Sequence, residues 1–379
     1  MTPQRQKIPI IIENSTDLER LAERLAGEKV IAFDLEADSL HHYREKVCLI
    51  QVATEKAVFL VDPLAITDIS PLGPLLANPG IRKIFHGADY DIRSLYRDFS
   101  LEVRNLFDTM IACQLLGEKE VGLAAALKKR FGVELDKRYQ KADWSRRPLD
   151  SGMIAYAAAD TSLLVALYRQ LEAELVARGR LSWVEEESAF LSEVRAADRE
   201  GEPLFCRFKG ASKMEPRTLA VLEELLRFRD MRACSTDRPP FKVLSNETLR
   251  ALAEKKPRKV QELNGIPGLP PRSVERYGRE ILKGVADGCA LPENLLPRFP
   301  RMERPERDAL KEERLKKLKR WREAKSLAMG IDAGFLVNNA LLEILAKEAP
   351  RDAAGLDAIF ALRGWRKKEF GDEFLEVLI

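Results

Sequence analysis

Histidine and cysteine are scarce in this chain of 379 residues, which has three of the first and five of the second. The cysteines (Cys48, Cys113, Cys206, Cys234, Cys289) are odd in number, scattered, and include no Cys-x-x-Cys pair. That pattern excludes a disulfide framework and a structural zinc site, and it makes a reducing cytoplasm the expected compartment. No uninterrupted apolar run approaches the ~20 residues of a membrane-spanning helix, so no membrane is expected as a partner. The N-terminal run Ile8 to Ile11 is broken by Pro9 and is too short for a secretory signal core. With 45% hydrophobic and 32% charged residues, disorder is excluded as the dominant state. The length fits two or three domains, and no organic cofactor is expected.

A net charge of +3 hides an asymmetry. Residues 1–200 hold 27 Lys and Arg against 32 Asp and Glu, whereas residues 201–379 hold 36 against 28. An acidic half followed by a basic half suits a carboxylate-rich site joined to a module that meets a polyanion.

The first half alternates strand and helix signals. Runs rich in β-branched and aromatic residues predict strands at 29–37, 46–54, 56–62 and 81–87. Helical patterns follow or interleave at 17–25, 91–99, 122–131 and 153–178, so an α/β layer fold around a mixed sheet is expected. Gly201-Glu202-Pro203 closes this region. The second half reads as helical and contains a repeat at an offset of 93 residues. That shift lays Arg227-Phe228-Arg229-Asp230 on Arg320-Trp321-Arg322-Glu323, and Asn246 on Asn339. It also lays Pro257 on Pro350, Leu263 on Leu356, and Tyr277-Gly278 on Phe370-Gly371. Coincidence does not supply so many matches at one offset. Two copies of a helical unit of about 80 residues are therefore expected, divided near the Pro-rich stretch 291–305.

Carboxylates stand where apolar residues are the rule. Asp34 and Glu36 lie two apart in a strand, so both project from one face about 7 Å apart along the chain. Like charges on a strand of such apolar character resist desolvation unless a cation holds them. After the turn at His86-Gly87, either Asp89 or Asp91 could add a third carboxylate; the apolar stripe Ala88, Ile92, Leu95 and Phe99 favours Asp91 as the inward one. Tyr156 and Asp160 stand one turn apart on a later helix. Four carboxylates and a phenol, without clustered His or Cys, suit hard oxygen-seeking cations such as Mg²⁺ or Mn²⁺. Two such ions about 3.5–4 Å apart can clamp a scissile phosphate, and a tyrosine near a ligand can orient water.

These segments resemble a known family. FDLEADSL (33–40), HGADYDI (86–92) and YAAADT (156–161) are similar to the three exonuclease motifs of the DEDD superfamily, in its tyrosine subclass. ADWSRRPL (142–149) is similar to a segment of ribonuclease D relatives, and the repeated unit resembles the helicase-and-RNase-D C-terminal domain. In this order and length, they resemble the bacterial ribonuclease D family. The resemblance implies an RNase H-like α/β exonuclease domain at 1–205, followed by two all-α helical bundles at 211–290 and 303–379. It implies metal ligation by Asp34, Glu36, Asp91 and Asp160, two divalent ions (Mg²⁺ or Mn²⁺), and a water-orienting Tyr156. The expected activity is 3′→5′ removal of nucleoside 5′-monophosphates from RNA, with tRNA precursors as the expected partners. Arg227, Arg229, Arg320 and Arg322 are the expected RNA contacts. Leu35 departs from the Thr frequent in relatives, at a position expected to bear on the terminal nucleotide. The rival readings are a DNA exonuclease of the same superfamily and a non-catalytic nucleic-acid-binding protein.

Overall fold

Short β-branched and aromatic runs form one six-stranded mixed sheet in the computed structural model of the chain, which describes residues 8–196, 201–300 and 308–379. In chain order the first elements are β1 (Ile10–Ile12), α1 (Ser15–Leu25), β2 (Val30–Ala37), β3 (Val47–Ala53), β4 (Val58–Val61) and α2 (Gly73–Ala77). There follow β5 (Arg82–Phe85), α3 (Asp89–Phe99), β6 (Leu106–Asp108), α4 (Thr109–Leu115) and α5 (Leu123–Phe131). Three helices, α6 (Ser151–Ser162), α7 (Leu164–Ala177) and α8 (Leu181–Ser192), complete this part. The strand order is β1-β4-β3-β2-β5-β6, with β2, β3 and β4 antiparallel and the outer pairings parallel.

The four strands expected from the sequence are present, shortened by a residue or more at most ends. Strands β1 and β6 were not expected, because three residues are too few to display a period of two. They exist because parallel pairing with β4 and β5 satisfies their backbone groups. The helix expected at 153–178 is broken at Leu163, whose φ of −109° and ψ of −2° interrupt the ladder. By length and composition the stretch Ser151–Ala177 could cross a membrane, but half of its apolar window is buried against the sheet.

The helical half continues with α9 (Pro216–Ser235), α10 (Pro240–Val243), α11 (Asn246–Lys255), α12 (Val260–Leu263) and α13 (Pro271–Ala290). Its second copy comprises α14 (Ala309–Met329), α15 (Ala333–Leu336), α16 (Asn339–Glu348), α17 (Ala353–Asp357) and α18 (Gly364–Leu378). Each of these five helices begins 93 residues after its counterpart. The repeat extends to single hydrogen bonds. Arg229 donates to the Leu244 carbonyl and, at 2.7 Å, to Asn246 Oδ1; Arg322 donates to the Val337 carbonyl and, at 2.9 Å, to Asn339 Oδ1. Gly278 sits against Leu263 as Gly371 sits against Leu356, each close enough that a β-carbon would touch the leucine. The expected start of the second copy at residue 303 lies outside the described residues.

The described residues fall into two compact units. One contains residues 38–46 and 201–300; there Tyr43 donates to Asp230 Oδ2 at 2.9 Å, and His42 Nδ1 lies 2.7 Å from Asp237. The other contains the sheet, α1–α8 and the whole second helical copy, 308–379. Inside that unit, Trp183 of α8 stacks on Trp365 of α18 with ring centroids 4.4 Å apart. The Glu186 carboxylate accepts from the backbone N–H groups of Gly364 and Trp365 and so caps α18. Glu187 accepts from the Trp365 indole at 2.7 Å and pairs with Arg366. At the other end, Arg180 donates to the carbonyls of Leu115 and Met329. Gly117, at φ +78°, lies where a β-carbon would stand 2.0 Å from the Gly330 oxygen. One apolar core therefore runs from the sheet through α8 into the second copy.

Candidate active site

Strand β2 runs through the middle of the sheet, so its side chains meet packed layers rather than water. Its alternation sends Ile31, Phe33 and Leu35 into one core and leaves Asp34 and Glu36 on the other face. Leu35 is thus buried on the face opposite the two acids. Asp160, on α6 and only 7% exposed, meets them there: Asp34, Glu36 and Asp160 each place an oxygen within 4.8 Å of the others. Asp91, also 7% exposed, lies on the first turn of α3 and interacts electrostatically with Asp34 and Glu36. Asp89 instead turns outward and pairs with Arg93 at 2.9 Å. Of the two candidates, Asp91 therefore faces inward and Asp89 the surface.

The electrostatics follow from this crowding. Burial raises the Asp34 carboxyl from 3.8 to about 7. Burial and then the Asp34 charge raise Asp160 to about 8. Glu36 is pushed from 4.5 to about 10 by burial, and next by the charges of Asp34, Asp160 and Asp91. Asp91 is held well above the usual range by burial, then by Asp34 and Asp108. Among the described residues no Lys or Arg pairs with any of the four. Such a set cannot ionise together without added positive charge. Three converging hard carboxylate oxygen donors, with the Asp91 carboxyl beside them, fit divalent cations and do not fit a soft metal.

Tyr156 sits one turn before Asp160, with its hydroxyl directed at that carboxyl closely enough for each to act on the other's protonation. Burial, then the charges of Asp160 and Glu36, raise the phenol above its ordinary 10, so it remains a donor. Its ring lies between Tyr139 and Trp144, each centroid 5.9 Å away. The Trp144 segment is tied down by Arg147, whose guanidinium donates to both Asp62 oxygens, at 2.5 and 2.7 Å, and to the carbonyls of Cys48, Trp144 and Arg146.

Three supporting residues were not anticipated. Gln51 lies opposite Asp34 in the β2–β3 register, fully buried, with its amide 3.5 Å from Glu36 Oε1. A lone amide in the apolar run KVCLIQVAT was the available signal. Asp108 accepts from the N–H groups of Gly87, Ala88, Met110 and Ile111, fixing the turn that presents α3 and Asp91. The Asp-Thr pair before an apolar helix was the capping signal. Thr109 donates its only hydroxyl proton to the Phe85 carbonyl, so His86 Nδ1, 2.9 Å away, is the donor to Thr109 Oγ1. Burial lowers the His86 pKa, and the ring serves the turn as a neutral imidazole.

The four expected RNA-contacting arginines differ in placement. Arg227 is largely exposed and pairs with Glu223 and Glu224 one turn back. Arg320 is exposed on α14. Arg229 and Arg322 are committed to the internal bonds described above, and Arg322 is only 9% exposed.

Comparison with known proteins gives a consistent result. Residues 9–176 match the 3′-5′ exonuclease family, and residues 218–285 and 311–378 each match the HRDC domain. The chain is 31% identical over 374 residues to ribonuclease D of Acidiphilium cryptum, covering 97% of this chain and 93% of that one. The crystal structure of Escherichia coli RNase D, an exoribonuclease involved in structured RNA processing, superposes with a TM-score of 0.73 at 26% identity, covering 97% and 98% of the two chains. The catalytic core of RRP6 from Trypanosoma brucei superposes with a TM-score of 0.67 at 32% identity, covering 76% and 82%.

Proposed function

The chain belongs to the ribonuclease D family of 3′-5′ exoribonucleases, and from that premise we propose that Asp34, Glu36, Asp91, Asp160 and Tyr156 form its catalytic centre. The observation that carries this reading is the convergence of Asp34, Glu36 and Asp160, with the buried Asp91 close enough for its charge to act on Asp34 and Glu36 and a protonated phenol at their edge. Asp34, Glu36, Asp91 and Asp160 offer the oxygen ligands for two divalent ions, Mg²⁺ or Mn²⁺. When bound, those ions supply charge to the scissile phosphate and lower the pKa of an attacking water. Tyr156, directed at Asp160 and held by Tyr139 and Trp144, orients that water toward the last phosphodiester. The expected product is a nucleoside 5′-monophosphate. A frayed 3′ end is held through its backbone and by stacking, so no base sequence is read in this pocket.

Residues 1–205 are assigned to the exonuclease domain, with 211–290 and 303–379 as two helical modules that extend the grip on folded RNA. The natural substrates are assigned as tRNA precursors and the compartment as the cytoplasm, in keeping with five cysteines that form no disulfide among the described residues. Arg227 and Arg320 remain candidate phosphate contacts, whereas Arg229 and Arg322 hold their own modules together. The test is digestion of matched RNA and DNA oligonucleotides labelled at the 5′ end, with Mg²⁺, with Mn²⁺ and with chelator. Stepwise shortening of the RNA that stops with chelator is expected. Metal-independent cutting, or a strong preference for DNA, overturns the assignment.

A further inference from the structure

The two helical copies share their helix starts and internal bonds, yet one helix has opposite charge in the two. On α13, Arg272, Arg276, Arg279 and Lys283 stand at intervals of four, three and four residues, which places them on one face. The face extends ~16 Å along the axis. The corresponding residues of α18 are Trp365, Glu369, Asp372 and Glu376. Four cationic positions in the first copy are thus matched by one aromatic and three acids in the second.

The second copy shows what its version of the face does. Trp365 is buried on Trp183, the N–H groups of Gly364 and Trp365 bond to Glu186, and Glu369 interacts electrostatically with Arg180. The first copy cannot be held in that way. Pro271, in place of Gly364, has no N–H to offer, and Arg272 and Ser273 replace Trp365 and Arg366. All four cationic residues of the first copy are exposed. Lys283 pairs with Asp287 at 2.6 Å, but no ion pair links Arg272, Arg276 or Arg279 to an acid among the described residues. Arg276 also lies over the Tyr277 ring.

We propose that the Arg272–Arg276–Arg279 face of the first module is a binding surface for the RNA phosphate backbone, and that the second module has exchanged this role for attachment to the nuclease. The inference rests on the exoribonuclease reading above and adds to that grip one phosphate-binding helix face, which only the first module carries. Charge complementarity selects the occupant: an unpaired row of guanidiniums matches a row of phosphates and carries no pattern for reading bases.

The test compares the full-length protein with the triple variant Arg272→Gln/Arg276→Gln/Arg279→Gln. A second triple variant, Arg20→Gln/Lys56→Gln/Arg104→Gln, makes the same change in net charge elsewhere on the surface. Binding to an RNA hairpin with a single-stranded 3′ overhang is measured between 50 and 200 mM salt, with chelator present to prevent cleavage. Each phosphate contact contributes about 0.7–0.9 to the slope of log K against log salt, so the α13 variant should lose about two to three units of slope. Its disadvantage relative to the unaltered protein then shrinks by ~20–40-fold across that salt range. The control variant should keep the original slope. Equal slopes for the α13 variant and the unaltered protein overturn the proposal and leave the face to an acidic protein partner. An equal loss in the control also overturns it, because net charge alone would then suffice. Cleavage of a short single-stranded RNA by the unaltered protein is measured alongside. Absence of that cleavage in the unaltered protein would instead count against the exoribonuclease reading, so the two failures are distinguishable.

Discussion

Replacing Asp160 by Asn should move stability and catalysis in opposite directions. The amide keeps the size of the carboxyl and can still accept from Tyr156, but it removes one charge from a buried cluster of four. In the folded chain the Asp160 carboxyl titrates near 8, against 3.8 ordinarily. A carboxyl raised in this way favours the fold below its unfolded pKa, and that contribution is lost as pH rises through the folded pKa. Metal-free protein should therefore lose stability between pH ~4 and ~8. The interval between the two values, at ~1.4 kcal/mol per pH unit, sets a ceiling of ~6 kcal/mol. Proton sharing among the four acids and local relaxation bring the expected gain of Asp160→Asn at pH 8 to ~1–3 kcal/mol. At ~2–4 °C per kcal/mol for a unit of this size, the melting temperature should rise by several degrees. The gain should vanish near pH 4. Thermal unfolding in chelator at pH 5 and pH 8, repeated with Mn²⁺, measures both effects. The unaltered protein should be strongly stabilised by Mn²⁺ at pH 8, and the variant weakly, with turnover reduced by orders of magnitude. A variant less stable than the parent in chelator at pH 8, or equally responsive to Mn²⁺, refutes the charge-cluster argument.

Tyr156→Phe keeps the ring between Tyr139 and Trp144 and removes the hydroxyl; turnover should fall ~10²–10⁴-fold while stability changes by no more than ~1 kcal/mol, and unchanged turnover would confine this residue to packing. Gln51→Leu removes the amide facing Glu36, so the Mn²⁺ concentration for half-maximal thermal stabilisation should rise ~10-fold; an unaltered Mn²⁺ titration would assign Gln51 to strand packing alone. Trp365→Ala should cost ~3–5 kcal/mol, because it removes an indole stacked on Trp183 and bonded to Glu187, whereas Arg272→Ala at the matching place in the first copy should cost under ~0.5 kcal/mol. Equal costs at the two positions, read by thermal unfolding, would contradict the asymmetry between the copies.

Much of the fold was legible because its signals are local. Asp34 and Glu36 alternate with apolar neighbours in a strand; Tyr156 and Asp160 are one helical turn apart; the helical repeat survives as a constant offset. Each of these is written in spacing along the chain, which backbone geometry converts directly into shared faces. Strands of three residues, such as β1 and β6, carry no such periodicity, and partners elsewhere in the sheet create them. Asp89 and Asp91 were nearly equivalent on a helical wheel, and only packing beneath α3 turned one inward and left the other with Arg93. The arginines show the same boundary from the other side. The sequence presents Arg227, Arg229, Arg320 and Arg322 as one matching charged set within the repeat, but hydrogen bonds within each module make Arg229 and Arg322 internal braces. The repeat likewise makes the two helical copies look equivalent. That Trp365 meets Trp183 while Arg272 stays exposed depends on residues nearly 200 positions apart in the chain coming into contact. Local spacing determined which side chains share a face; tertiary contact decided what each face touches, because desolvation and pairing depend on neighbours that the sequence does not place side by side.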